Sequence, residues 1–259
     1  MSVPAIAVSE PRGTQGAPLL VLGCSLGTSS LVWEESAKEL RNHFRVSVWE
    51  LPGHGVSPAA RAGFSVGDLA DAVANAYGEP FLYAGVSLGG AVGLELALRH
   101  PDRVGAVVSI CSGARFTTPE AWRERAVTVR SSGTGALVVQ SAQRWFAPGT
   151  MERNPDVTGR LLHALRDADD ESYALCCDAL AEFDVRERLR GAARPIVAAY
   201  GTLDPVTPAA SAHEIAEYAP GGTVVAIDGA SHLATVDKPL ETARVVREAL
   251  SSAGQEGAR

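Results

Sequence analysis

The segment from Phe81 to Leu98 constrains the fold of this chain more than any other. The apolar run Phe81-Leu82-Tyr83-Ala84 enters Gly85-Val86-Ser87-Leu88-Gly89, and the helical pattern Ala91–Leu98 follows at once. This order reads as a strand, a tight turn and a helix, with a serine at the apex. A turn so sharp needs small flanking residues, because a Cβ there would collide with neighbouring backbone. The glycines relieve that clash and leave the Ser87 hydroxyl exposed, which makes Ser87 the candidate nucleophile.

A serine hydroxyl is a poor nucleophile unless a base takes its proton and an acid orients that base. The turn therefore predicts an acidic residue downstream and then a histidine. Asp204 lies in Gly201-Thr202-Leu203-Asp204-Pro205, after the apolar run Pro195–Tyr200. His232 lies in Gly229-Ala230-Ser231-His232-Leu233, after the run Thr223–Ile227. Alone, Asp204 also fits a turn aspartate before proline, and His232 a structural loop histidine. In order, each past the end of its own strand, the three fit a catalytic triad at the edge where open α/β sheets bind ligands.

Attack on a carbonyl also needs donors for the oxyanion. One is expected from the backbone N–H of Leu88, the residue after the nucleophile. The second is assigned to Leu26, in the loop Cys24-Ser25-Leu26-Gly27-Thr28 that follows the run Leu19–Gly23, although this loop also fits an ordinary glycine turn into a helix from Ser30 to Leu40.

Apolar runs near Val46–Trp49, Phe81–Ala84, Ala106–Cys111, Pro195–Tyr200 and Thr223–Ile227 alternate with helical patterns. That alternation predicts a mostly parallel sheet with helices on both faces. The stretch between Cys111 and Pro195 is too long for one crossover helix. It is read as a helical cap over residues 115–190, inserted in a core of residues 1–114 and 191–259. Helices are expected at Ala121–Arg130, Gly135–Phe146, Val157–Ala168 and Glu171–Phe183. Most cap arginines read as solvated helix faces. Arg144 is singled out as a substrate-carboxylate contact because Trp145 and Phe146 follow it; Trp145 is its candidate apolar wall, although a Trp-Phe pair also fits cap packing.

With 259 residues and 46% hydrophobic content, the chain can bury a large core. No apolar run is long enough to span a bilayer, and no basic, then apolar, N-terminal leader is visible, so a cytoplasmic protein is expected. Cys24, Cys111, Cys176 and Cys177 show no metal-ligand spacing and read as buried thiols, with Cys24 noted for its place beside the oxyanion loop. A net charge of -7 without a basic run argues against nucleic acid or an anionic membrane as partner. The tail Ser251–Arg259 is expected to fray. Nothing in the pattern fixes an oligomeric state.

These segments resemble the α/β-hydrolases, and among them most closely the 3-oxoadipate enol-lactonases of aromatic-compound breakdown. The resemblance runs from about Pro18 to Leu250 and is carried by Ser25-Leu26-Gly27-Thr28, Pro52-Gly53-His54-Gly55, Gly85-Val86-Ser87-Leu88-Gly89-Gly90, Arg144-Trp145-Phe146, Tyr173-Ala174-Leu175-Cys176-Cys177 and Gly229–Leu233. Two positions depart from those lactonases: Cys24 stands where asparagine is usual, and Leu51-Pro52 where arginine is common before Gly53. The resemblance implies an α/β-hydrolase fold with an eight-stranded, mostly parallel sheet and a cap. It also implies cleavage of a small, anionic ester or lactone through an acyl-enzyme, with no metal or organic cofactor. A carboxylesterase, a carbon–carbon bond hydrolase or a ligand receptor on the same scaffold are the alternatives.

Overall fold

A computed structural model describes residues 3–256. Six strands form the parallel body of the sheet: β3 (Leu19–Gly23), β4 (Arg45–Glu50), β5 (Phe81–Val86), β6 (Val104–Ile110), β7 (Ile196–Gly201) and β8 (Thr223–Ile227). Two short pieces, β1 (Ala7–Val8) and β2 (Arg12–Gly13), pair antiparallel with β4 and complete eight strands. Their registers, Ala7 opposite Glu50 and Arg12 opposite Val46, differ by one residue, so they behave as one edge strand broken by a bulge. All five residues of β3 are buried, as are five of the six in β5, the pattern of strands covered on both faces.

The strand order is β1-β4-β3-β5-β6-β7-β8. The chain runs from β3 outward to β4, then crosses back over β3 to β5, so its direction reverses at the β3–β5 pair. Loops leaving those two strands diverge to opposite faces and open a crevice between them. The loop of Leu26 leaves β3 and the Ser87 turn leaves β5, so the topology itself places them side by side.

Helices α1 (Glu34–Leu40), α11 (Ala234–Asp237) and α12 (Pro239–Glu256) pack together on one face. The other carries α2 (Val66–Ala76), α3 (Leu88–Arg99), α9 (Arg186–Leu189) and α10 (Ala209–Tyr218). Between β6 and β7 lie α4 (Pro119–Ser132), α5 (Val138–Trp145), α6 (Thr150–Arg153), α7 (Pro155–Arg166) and α8 (Asp170–Ala181). The four long helices expected there are present; α6 and α9, one turn each, have too little pattern to be read from sequence. The expected helix at Ser30 begins as a 3-10 turn, Ser30–Trp33, before α1. Helix α12 continues through Glu256 where the tail was expected to fray, and residues 257–259 lie outside the described residues.

The join of β5 to α3 holds the architecture together. Ser87 adopts φ 57°, ψ -118°, and its N–H donates to Ile110 O at 2.8 Å. A Cβ on Gly89 would stand 2.6 Å from the carbonyl carbon and oxygen of Gly23, so the first turn of α3 rests directly on the backbone at the end of β3. Beneath it, Tyr83 donates to Gly89 O at 2.8 Å and accepts from Trp49 Nε1 at 3.2 Å. Because backbone cannot yield as a side chain can, Gly89→Ala is expected to destabilise the fold by about 3 kcal/mol or more, read as a lowered denaturation midpoint.

Candidate active site

Ser87, Leu26 and His232 line one cleft, together with Arg144 and Trp145 from α5. Asp204 stands behind the histidine, its Oδ2 2.9 Å from His232 Nδ1. Ser87, Asp204 and His232 are only 8%, 6% and 3% exposed. The structure thus brings together all five cleft residues singled out from sequence, with Leu88 beside Ser87 at the start of α3.

Asp204 is heavily organised. Its Oδ1 accepts from the N–H groups of Val206 at 2.7 Å and Thr207 at 3.2 Å, while Oδ2 accepts from the Thr207 hydroxyl at 2.6 Å. Burial by itself pushes this carboxyl up, but the charge and hydrogen bond of His232, with the bonds from Thr207 and Val206, outweigh it and hold it below the usual carboxylate range. An ionised Asp204 accepts the Nδ1 proton of His232, which leaves Nε2 as the basic nitrogen of the ring. Thr207 was not anticipated from sequence, although its position three residues after Asp204 is that of a side chain closing a local turn.

Among the described residues, neither the Leu26 nor the Leu88 N–H has an acceptor in the protein. Buried N–H groups are nearly always paired, so two left open on one cleft suit a substrate oxygen. The Leu26 loop is pinned from several sides. Trp33 Nε1 donates to Gly23 O at 2.9 Å, and Thr28 Oγ1 to Ser25 O at 2.8 Å. Glu50 accepts from Ser30 N and Val56 N, both at 2.7 Å, tying this loop to the Pro52–Gly55 turn. All four cysteines are free and buried. Burial, then the nearby Glu50, holds the Cys24 thiol well above its usual range, which removes it as a thiolate nucleophile.

The inserted helices lie directly over these loops. Gly27, at φ 80°, has Leu165 Cδ1 only 2.7 Å from where a Cβ would stand, with Tyr173 and Trp145 close behind. Asp169 N donates to Gly53 O at 2.9 Å. The cleft around Ser87 and His232 is narrow, with about 40 Å³ of room for water-sized molecules.

The end of α5 is latched to the histidine loop. Leu233 N donates to Trp145 O at 2.8 Å, and the Ser231 hydroxyl to Arg144 O at 3.1 Å. Asp237 Oδ2 accepts from Ser231 N at 2.7 Å, and Oδ1 from Ala147 N at 3.0 Å. Asp237 therefore joins the residue before His232 to the chain leaving α5, a positioning role with no motif to announce it. Trp145 is buried against Phe146, ring centroids 6.2 Å apart, whereas the Arg144 side chain is exposed at the rim.

The α/β-hydrolase family model, described as the alpha/beta hydrolase fold, matches residues 17–239. This chain is a member of the α/β-hydrolase family. It is 31% identical to 3-oxoadipate enol-lactonase 2 of Acinetobacter baylyi, over 88% of this chain and 86% of that one. It is also 31% identical to the pimeloyl-[acyl-carrier protein] methyl ester esterase of Aeromonas hydrophila, over 93% and 98%. The crystal structure of the enol-lactonase from Burkholderia xenovorans LB400 superposes with a TM-score of 0.91 at 30% identity, covering 96% of this chain and 97% of that one. No helix among the described residues is long and apolar enough to cross a membrane.

Two outcomes follow from the site's geometry. Asp237→Ala leaves two N–H groups without their acceptor and should cost about 2–4 kcal/mol, with kcat lowered about tenfold through the displaced histidine loop. Asp237→Asn, which keeps one acceptor oxygen, should recover most of both in denaturant melts and steady-state rates. Asp204 is held low in the folded state, so its stabilisation is present above the unfolded carboxylate pKa and is lost as pH falls through the lower folded value. Asp204→Asn should therefore flatten part of the acid limb of stability below about pH 4, the unfolded carboxylate range.

Proposed function

We propose that this hydrolase cleaves a small carboxylic ester or lactone through a serine acyl-enzyme, with 3-oxoadipate enol-lactone as its substrate. The observation that carries the reading is the buried Asp204–His232 pair at 2.9 Å, in the cleft where Ser87 stands at positive φ on the β5–α3 turn. The enol-lactonase relatives support the choice of substrate.

His232 Nε2 takes the Ser87 proton as Oγ attacks the carbonyl carbon, and Asp204 stabilises the imidazolium that forms. The N–H groups of Leu26 and Leu88 receive the developing oxyanion, preorganised by the same backbone contacts that build the fold. Collapse of the tetrahedral intermediate breaks the bond to the ring oxygen, which leaves as an enol carrying the proton from His232. Water, deprotonated by His232, then attacks the acyl carbon and frees Ser87. The released enol tautomerises to the ketone, giving 3-oxoadipate. These side chains complete the cycle without a metal or organic cofactor.

Residues 115–190 act as a cap on a core formed by residues 1–114 and 191–259. The cleft is narrow beneath the cap, with about 40 Å³ of room for water-sized molecules, which favours a cap that moves as substrate enters. The latch at Ser231–Asp237 keeps the end of α5 with the histidine, and the bonds from Asp169 N to Gly53 O and from Ala60 N to the Ser172 hydroxyl, both 2.9 Å, hold the start of α8 to the core, so α4 and α7 are the elements freest to shift. Trp145 supplies an apolar wall and Arg144 a positive rim that draws in an anionic substrate.

The identity shared with a methyl ester esterase favours a second reading, a carboxylesterase using the same residues. Loss of the lactone chromophore, followed for the wild type and Ser87→Ala, separates the possibilities. Fast turnover that falls by about 10⁴-fold or more in the mutant supports the lactonase. Turnover of aryl or methyl esters beside slow lactone hydrolysis supports the esterase, and substantial activity in a folded Ser87→Ala overturns the serine mechanism.

A further inference from the structure

Among the described residues, no carboxylate lines the cleft that holds Ser87 and His232, although the chain carries 30 acidic residues against 23 basic ones. Two arginines face it, Arg125 from α4 and Arg144 from α5. Elsewhere on the cap several arginines find acids: Arg123 pairs with Glu182, Arg130 with Glu171 and Asp178, and Arg160 with Glu34. Among the described residues, neither Arg125 nor Arg144 has an acidic group within ion-pair distance. Two unmatched cations in one cleft suit a negative charge that arrives from outside.

The two arginines are held differently. Arg125 is half-buried, and its Nε–H donates to the Tyr173 hydroxyl at 3.0 Å. Its guanidinium carbon lies 5.7 Å from the ring centroids of both Trp122 and Tyr173. These contacts orient the guanidinium and occupy only Nε, so the hydrogens on Nη1 and Nη2 remain as a fork suited to a carboxylate. Arg144 is exposed and, among the described residues, its guanidinium has no hydrogen-bond partner.

Two more residues that line the same cleft, Trp122 and Ser141, each carry a buried polar atom without a partner among the described residues, Nε1 and Oγ. Ser141 is 2% exposed. An indole N–H can only donate and a serine hydroxyl can do so, whereas a carboxylate offers about four acceptor sites. Buried donors left open cost free energy until an acceptor reaches them, and here they belong to residues that line the cleft together with an oriented guanidinium.

We propose that Trp122, Arg125 and Ser141 form a subsite for the substrate's own carboxylate, the one that is not cleaved. The enzyme then selects carboxylate-bearing lactones over neutral ones of the same size. The proposal rests on the serine-hydrolase reading of the cleft and goes beyond it by placing recognition on α4 and the inner face of α5, with Arg144 confined to the rim.

The test compares kcat/KM for the enol-lactone bearing a free carboxymethyl group with that for the same lactone masked as its N-methyl amide. Wild type should favour the free acid by about thirtyfold or more, and Arg125→Met should bring the ratio to within about threefold of unity. Arg125→Lys, which keeps the charge but loses the planar fork, should restore only a small part of it. Trp122→Phe and Ser141→Ala should each lower the ratio by about threefold to fivefold. Arg130→Met, on the same helix but paired on the outer face, should keep the ratio and so controls for net charge. An unchanged ratio in Arg125→Met, or its collapse in Arg144→Met alone, overturns the proposal.

Binding of adipate by calorimetry tests the subsite without turnover. Saturable binding in the wild type and Arg130→Met, lost in folded Arg125→Met, upholds it; equal binding in all three, or none, overturns it. If no lactone or ester is hydrolysed, the serine-hydrolase reading falls, and the adipate titration still decides the subsite.

Discussion

The site depends on one backbone approach, the first turn of α3 against the end of β3 at Gly89 and Gly23. This contact forces the abrupt turn at Ser87 and holds that residue at φ 57°. It also brings the Leu26 loop, which leaves β3, to the N-terminal end of α3. Two unpaired N–H groups and a hydroxyl thus meet at one point through packing of main chain, whose positions are far stiffer than those of side chains. Backbone held at a sparsely populated conformation carries a cost that the surrounding core has to offset. The fully buried Trp49 and Tyr83, hydrogen-bonded beneath the turn, form part of that support.

The inserted helices extend this arrangement to the histidine. Asp237, Ser231 and Leu233 bind the chain at Arg144–Ala147, so the loop of His232 and one wall of the cleft are anchored together. Close contact at Gly27 seals the opposite side and leaves little room for water. In such a site a hydrogen bond or a charge pair is electrostatically stronger than it is in water. The four interactions on Asp204 keep it ionised despite burial, which is the condition for holding His232 in one tautomer.

Much of the core was legible in the sequence, because its signals are local. A continuous apolar run marks a strand, and β5, β6, β7 and β8 fall where such runs occur, although β8, at the sheet edge, buries only Ile227. The paired edge pieces β1 and β2 carry no such signal, being two residues each and defined by their partner rather than by their own pattern. Ser87, Asp204 and His232 were visible for the same reason, each a reactive residue just beyond a strand end. Thr207 and Asp237 were not, since their meaning lies in a hydrogen bond to another residue. Reading cap arginines as solvated faces holds for Arg123, Arg130 and Arg160, which pair with acids at the surface, but not for Arg125.

The sequence alone determined the alternation of strands and helices, the glycine-flanked turn at Ser87, and the chain order of serine, acid and histidine. Each depends on contacts within a few residues or on the period of apolar side chains. Only the tertiary structure decided that α4 turns Arg125 inward between Trp122 and Tyr173, and that α5 buries Ser141 while leaving Arg144 at the rim. It likewise decided that, among the described residues, no acid lines the cleft to neutralise either arginine. Those outcomes depend on how helices far apart in the chain cross over the sheet, and helical spacing does not specify which polar residues that crossing encloses.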